Sequence, residues 1–548
     1  MVPHALDVLG LTPEQVMPYG DGVWKLRPEV AFVPEGAELP GKLVLVSAVT
    51  PTPAGEGKTT VSIALVDGLA RRSVRAVAAL RQPSLGPTLG SKGGGAGGGK
   101  ARLEPFERVN LGLSGDIHAV TSAHNLLAAV VDNALHFGSK DPRKALDPRR
   151  IDLPRVLDLD DRSLRHVITG LGGTLHGVPR ETRFDITAAS EVMAVLSLAR
   201  DFADLKLRLG RIRVGASVDG EPVTAGDLRA AGGMAVVLRD ALLPNVVCTA
   251  EGTPAFVHGG PFGNIAHGCS SIAATRAALS RAEVVVTEAG FGFDLGGEKF
   301  LDIKCRLAGL FPHAVVLVAT LKALKMHGGV AQKDASRPNR PALELGAENL
   351  RHQVATVRAF GIDPVVAINV FPGDGPEELA VLEGIASEIG CPSARVDSYE
   401  RGAEGGVALA DVVRDKLEKA PSHPTRRFLY ELDRPIEEKV GRIARTVYGA
   451  TAVTYTPAAE RDIERAKATG IAGLPICMAK THLSLSADPK GGGRPVPHVL
   501  PVQALRASTG AGFLVALCGD IMTMPGLGRE PAVLSMDLLD SGEIVGLR

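Results

Sequence analysis

The stretch Thr52-Pro53-Ala54-Gly55-Glu56-Gly57-Lys58-Thr59-Thr60 lies between an apolar run, Leu43–Val49, and a segment of helical composition, Val61–Arg72. Strand, glycine-rich turn and helix in that order form the frame of a phosphate-binding loop. Backbone N–H groups of the turn and the helix N-terminus face an anion there, and the helix dipole adds favourable charge. The spacing directs Lys58 to the β- and γ-phosphates and Thr59 to Mg²⁺. The candidates for nucleotide contact are therefore Thr52, Pro53, Ala54, Gly55, Glu56, Gly57, Lys58 and Thr59. The usual pattern opens on Gly, where this chain has Thr52. A Gly-Lys surface turn is the plainer alternative, but it leaves the apolar strand before the turn unexplained.

Composition excludes several classes. Lys plus Arg and Asp plus Glu are both 61, so no net charge draws the chain to nucleic acid or to an anionic membrane. Aromatic residues are 4%, too few for a stacking surface along single strands. The six Cys, at 248, 269, 305, 391, 477 and 518, form no C-x-x-C pair, which argues against a zinc ribbon or a disulfide scaffold and for reduced thiols. Met1-Val2-Pro3-His4-Ala5 lacks a basic region followed by an apolar one, so no secretory signal is expected. No apolar run is long enough for a membrane span, and a cytoplasmic protein is expected.

At 548 residues the chain has room for several domains. Short β-branched runs recur between helical stretches, at Leu43–Val49, Ala76–Leu80, Val284–Val286, Ala314–Ala319, Pro364–Ile368 and Gly512–Leu517. This alternation predicts an α/β fold: a parallel-sheet domain of the P-loop NTPase type with smaller α/β domains. The expected divisions are 1–345, with an inserted segment near 150–248, then 346–425 and 426–548. The run Gly93–Gly99 reads as a loop approaching a ligand or as a flexible linker.

Arg81 follows the second apolar run, where an open parallel sheet binds ligands beyond its strand ends. Its guanidinium is suited to clamp a phosphoryl group or a carboxylate. Val284-Val285-Val286-Thr287-Glu288 resembles the strand-plus-acid that supports Mg²⁺ in P-loop enzymes, making Glu288 a candidate beside Thr59. Asp116 and Asp132 are candidates for a metal, a water or a substrate, with helix capping as the alternative. His258 and His267, in a Gly-rich tract, are weak zinc candidates and equally consistent with buried, hydrogen-bonded imidazoles. Phe371 and Tyr399, each after a strand-like run in a chain poor in aromatics, are placed to enclose a flat heterocycle or to pack in a core.

Together these motifs resemble the formate–tetrahydrofolate ligase family. The resemblance runs through LRQPSLGP (80–87), GDIHAV (115–120), EGTPAFVHGGPFGNIAHGC (251–269), TEAGFGFDLGGEKF (287–300), ALKMHGG (323–329), LPICMAKT (474–481) and GDIMTMPGLG (519–528). It implies a reaction in which ATP phosphorylates formate and N10 of tetrahydrofolate attacks the resulting formyl phosphate. It further implies that Thr52–Thr59 holds ATP, that Lys58 and Arg81 steady the phosphoryl group, and that Phe371 and Tyr399 stack on the pterin, making 346–425 the folate-binding unit. Mg²⁺ with ATP, a monovalent activator (K⁺ or NH₄⁺) and a homotetramer are also implied. The chain departs from the family pattern at Gln82 (usually Glu), Lys100 (Tyr), Val370 (Arg), Tyr399 (Trp) and His482-Leu483 (Gln-Tyr). The alternatives are another carboxylate-activating P-loop ligase or a regulatory P-loop ATPase.

Overall fold

The structure, a computed structural model, describes residues 2–90, 95–139 and 141–547. Its centre is a 12-stranded mixed sheet. The strands that build the site are β1 (Lys42–Ala48), β2 (Ala76–Leu80), β3 (Asn245–Thr249), β4 (Pro254–Val257), β5 (Val284–Glu288), β6 (Ala314–Ala319), β7 (Val365–Asn369) and β8 (Ser393–Val396). Across the sheet they run β3-β4-β2-β5-β1-β6-β7-β8, with an N-terminal hairpin (Val16–Pro18, Trp24–Leu26) outside β3. Every neighbouring pair from β4 to β8 is parallel. Strand β1, which leads into the phosphate loop, sits between β5 and β6, with Thr287 opposite Leu45 and Val316 opposite Val46.

The near-continuous apolar runs follow from burial on both faces. Leu43, Leu45 and Val49 enter one core, whereas Val44, Val46 and Ala48 enter the other, as the two-residue strand period requires. Burying each Leu or Val fully is worth roughly 1.5–3 kcal/mol.

Helix α1 (Lys58–Arg71) starts at Lys58 and not at the expected Val61. Gly57, at φ 74°, turns the chain so that Lys58, Thr59 and Thr60 form the first helical turn. On its outer side α1 crosses a helix from far along the chain, Ala403–Lys419, here α2. The axes meet at glycines: a Cβ on Gly68 would lie 2.8 Å from the Gly406 carbonyl oxygen, and one on Gly406 would collide with that of Ala64.

The segment 346–425 continues the central sheet through β7 and β8. Between β2 and β3 the chain leaves the sheet for small ribbons of its own. These include a three-stranded sheet of Leu146–Ile151, Arg213–Ser217 and Pro222–Thr224. After residue 426 a third core forms around Ile436, Val440, Ile443, Ile476 and Leu514. It carries a three-stranded sheet in which Phe513–Leu517 lies between Ile476–Ala479 and Ala504–Ser508. Of the glycine run, Gly93 and Gly94 lie outside the described residues. Gly97 and Gly98 pair with Arg102 and Ala101 in a short hairpin. Among the described residues no helix is long and apolar enough to cross a membrane.

Candidate active site

The phosphate loop is shaped by its own glutamate. Glu56, buried, accepts on Oε1 from the Thr52 N–H at 2.7 Å, and its Oε2 lies 3.9 Å from Lys58 Nζ. A carboxylate thus closes the turn that opens on Thr52. Burial pushes the Glu56 carboxyl up, and the Lys58 charge opposes that. From outside, Asn369 Nδ2 donates to the Glu56 carbonyl at 3.0 Å.

Thr50, at the root of the loop, is held on all sides. Its N–H donates to Asn349 Oδ1 at 3.0 Å, and its carbonyl accepts from His327 Nε2 at 2.7 Å. Its hydroxyl accepts from Asn349 Nδ2 at 2.9 Å and Gln353 Nε2 at 3.0 Å. Gly493 of the C-terminal unit joins this network, accepting from Asn349 and donating to His327 Nδ1. Burial lowers the His327 pKa, in keeping with a neutral ring that donates from one nitrogen and accepts on the other.

Three adjacent strand ends bring polar groups together. Thr59 Oγ1, in the first turn of α1, donates to Glu288 Oε2 at 2.8 Å at the end of β5. Glu288 Oε1 faces the Arg81 guanidinium, beyond β2, at 3.7 Å. Close approach here needs glycine, since a Cβ on Gly290 would sit 2.8 Å from Arg81 Nη1. The hydroxyl and carboxylate are hard oxygen donors, which fit Mg²⁺ shared with substrate phosphates. Among the described residues no cluster of three or more His, Cys, Asp or Glu forms a metal cage.

Phe371 and Tyr399 follow β7 and β8, which pair in parallel with Asn369 opposite Val396, so both aromatics lie beyond the C-terminal ends of neighbouring strands. Lys322 Nζ lies 5.1 Å from the Phe371 ring centroid. Tyr399 is 59% exposed. Its carbonyl accepts from the Lys100 N–H at 2.9 Å, and its ring lies along Gly98 and Gly99, leaving no room for a Cβ on Gly99. The described end of the glycine run is therefore packed against this tyrosine.

Asp116, Asp132 and His258 have structural partners, whereas neither ring nitrogen of the buried His267 is hydrogen-bonded among the described residues. Asp116 is buried against Lys25 Nζ at 2.8 Å and Asn245 Nδ2 at 2.7 Å. Asp132 binds Arg155 and Arg180. Both ring nitrogens of His258 are taken up by hydrogen bonds, with Ser271 Oγ and the Ala241 carbonyl, each at 2.7 Å. His267 is fully buried, and burial with the charges of Lys304, Lys299 and Arg81 holds its imidazole well below the usual range. Sequence reasoning missed Asn369, Asn349 and His327 as supports of the loop. Only Asn369 left a signal, as a polar residue ending an apolar strand.

A phosphate-loop strand at the centre of a parallel sheet, with Lys, Thr, Glu and Arg gathered at its end, defines a P-loop α/β protein. Residues 2–548 match the family described as Formate--tetrahydrofolate ligase. The chain is 53% identical to the Formate--tetrahydrofolate ligase of Myxococcus xanthus, over 98% of this chain and 97% of the relative. It is 50% identical to the proteins of that name from Symbiobacterium thermophilum and Maricaulis maris, each over 98% of this chain and 96% of the relative. The chain belongs to the formate–tetrahydrofolate ligase family.

Proposed function

We propose that the chain joins formate to tetrahydrofolate at the expense of ATP, giving 10-formyltetrahydrofolate, ADP and phosphate in one-carbon metabolism. The observation that carries the site assignment is the meeting of Thr59, Glu288 and Arg81 at three neighbouring strand ends, with Lys58 next to Thr59 in the first turn of α1. A formate oxygen attacks the γ-phosphorus and ADP leaves with the bridging electron pair. N10 then attacks the formyl carbon, phosphate leaves with the C–O electron pair, and N10 gives up its proton. Lys58, at the N-terminus of α1, neutralises charge moving toward the departing ADP, and Arg81 grips the transferring phosphoryl oxygens. Glu288 aims Arg81 and, with Thr59, would hold Mg²⁺, whose chemistry is to neutralise the phosphates. Thr52, Pro53, Ala54, Gly55, Glu56 and Gly57 line the phosphates. Phe371 and Tyr399 stack on the pterin.

A monovalent activator (K⁺ or NH₄⁺), a homotetramer and a cytoplasmic location belong to the same reading. The buried free thiols at all six Cys support a reducing location. The exposed Ile168, Leu171 and Leu175 support assembly. ADP release by the purified chain tests the function: it should require both formate and tetrahydrofolate. Steady release without formate would instead identify a plain ATPase.

A further inference from the structure

Two halves of the proposed site meet at one side chain. Asn369 ends β7, is buried, and lies two residues before Phe371. Its amide nitrogen donates to the Glu56 carbonyl at 3.0 Å. That contact depends on glycine next door, because a Cβ on Gly57 would stand 2.5 Å from Asn369 Nδ2. Gly57 immediately precedes Lys58 and caps α1. On its other side Asn369 is tied to β8. It pairs with Val396, the following N–H (Val370) donates to the Val396 carbonyl at 2.9 Å, and the Ser398 hydroxyl, next to Tyr399, lies 3.5 Å from Asn369 Oδ1.

We propose that Asn369 is the positioning residue that couples folate binding to the phosphate loop. This rests on the reading of Phe371 and Tyr399 as the pterin platform. A ligand that tightens around the two aromatics fixes the ends of β7 and β8. Asn369 passes that constraint to the Glu56 carbonyl and hence to the seat of Lys58. By linkage, folate must change nucleotide affinity by the same factor as nucleotide changes folate affinity.

Titration calorimetry of the full chain tests this, with tetrahydrofolate and a non-hydrolysable ATP analogue plus Mg²⁺, each alone and with the other saturating. In the unmodified chain the two affinity ratios should agree and differ from one, by about 5–150-fold as coupled sites do. In Asn369→Asp, which sets a carboxylate oxygen against the Glu56 carbonyl, and in Asn369→Ala, both ratios should fall toward one while folate affinity alone is kept. A purely structural role would weaken both ligands and leave the ratio standing. That result, or a ratio of one in the unmodified chain, overturns the proposal. Hydrogen exchange in the unmodified chain needs no variant: tetrahydrofolate alone should slow amide exchange across Thr52–Thr60, and no change there overturns it too. Tyr399→Ala separates the two readings, since folate affinity indifferent to that change removes the pterin platform itself.

Discussion

At the scale of single residues, the site divides into a charged half and an aromatic half. Lys58→Ala removes the neutralising ammonium at the loop, and turnover should drop by roughly 10²-fold or more with the fold retained, as for loss of one transition-state donor. Circular dichroism with steady-state rates checks this, and near-native turnover in a folded variant removes Lys58 from the mechanism. Arg81→Lys should be nearly as damaging, because a point charge replaces the fork that faces Glu288 and that is proposed to grip the phosphoryl group. Tyr399→Ala should raise the folate KM through loss of stacking worth about 0.5–1.5 kcal/mol. The KM values for formate and ATP should hold, and Tyr399→Trp with Val370→Arg should lower the folate KM. Measuring KM for all three substrates decides whether Tyr399 serves the pterin or merely packs along Gly98 and Gly99. The motif residues were legible because backbone chemistry imposes their spacing. Asn369 and Glu56 were not legible as partners, since their contact joins segments more than three hundred residues apart in the chain.

At the scale of elements, the crossing of α1 with α2 is the tightest constraint on the nucleotide half. Gly406→Ala drives a methyl into the Ala64 carbonyl, so the helices must separate. Overpacking of this kind costs about 1–3 kcal/mol. A lower melting temperature and weaker nucleotide binding should appear together, because α1 begins at Lys58. An unchanged melting temperature would mean that the crossing is looser in solution.

The buried turn after β5 makes a separate prediction. Glu298 and Asp302 are fully buried together, and Asp302 Oδ1 also accepts from the Leu429 N–H at 3.1 Å and Arg306 at 3.3 Å. Burial, with Asp302 beside it, drives the Glu298 pKa well up, and burial raises Asp302 to about 7. Below about pH 3 both carboxyls are protonated whether the chain is folded or not. Above that range the folded chain binds more protons than the unfolded one, so stability falls as pH rises through the window up to the raised pKa values. Glu298→Gln keeps a hydrogen-bond donor for Asp302 without a titrating proton. Its melting temperature should therefore decline less between pH 5 and 8 than that of the parent chain. Parallel curves for the two proteins would show that other groups set the slope.

At the scale of the whole molecule, the α/β alternation was legible because strands buried on both faces read as unbroken apolar runs. Strand order was not, since β1 pairs with β5 and β6 while β2, the next strand in the chain, lies one place further out. The polar stretch before residue 346 is visible in the sequence, whereas the hydrogen bonding of β7 to β6 across it is not. A fragment ending at residue 280 therefore lacks both neighbours of β1. It should fail to bind nucleotide and collect in the insoluble fraction, and a soluble, nucleotide-binding fragment would contradict this account. The same topology has a consequence for synthesis in the cell. Leu43–Val49 leaves the ribosome early, but its partners at 284–288 and 314–318 are more than two hundred residues behind. At ordinary elongation rates the wait is on the order of tens of seconds. During that interval an apolar, β-branched strand has neither edge paired, the condition in which nascent chains aggregate or are held by chaperones.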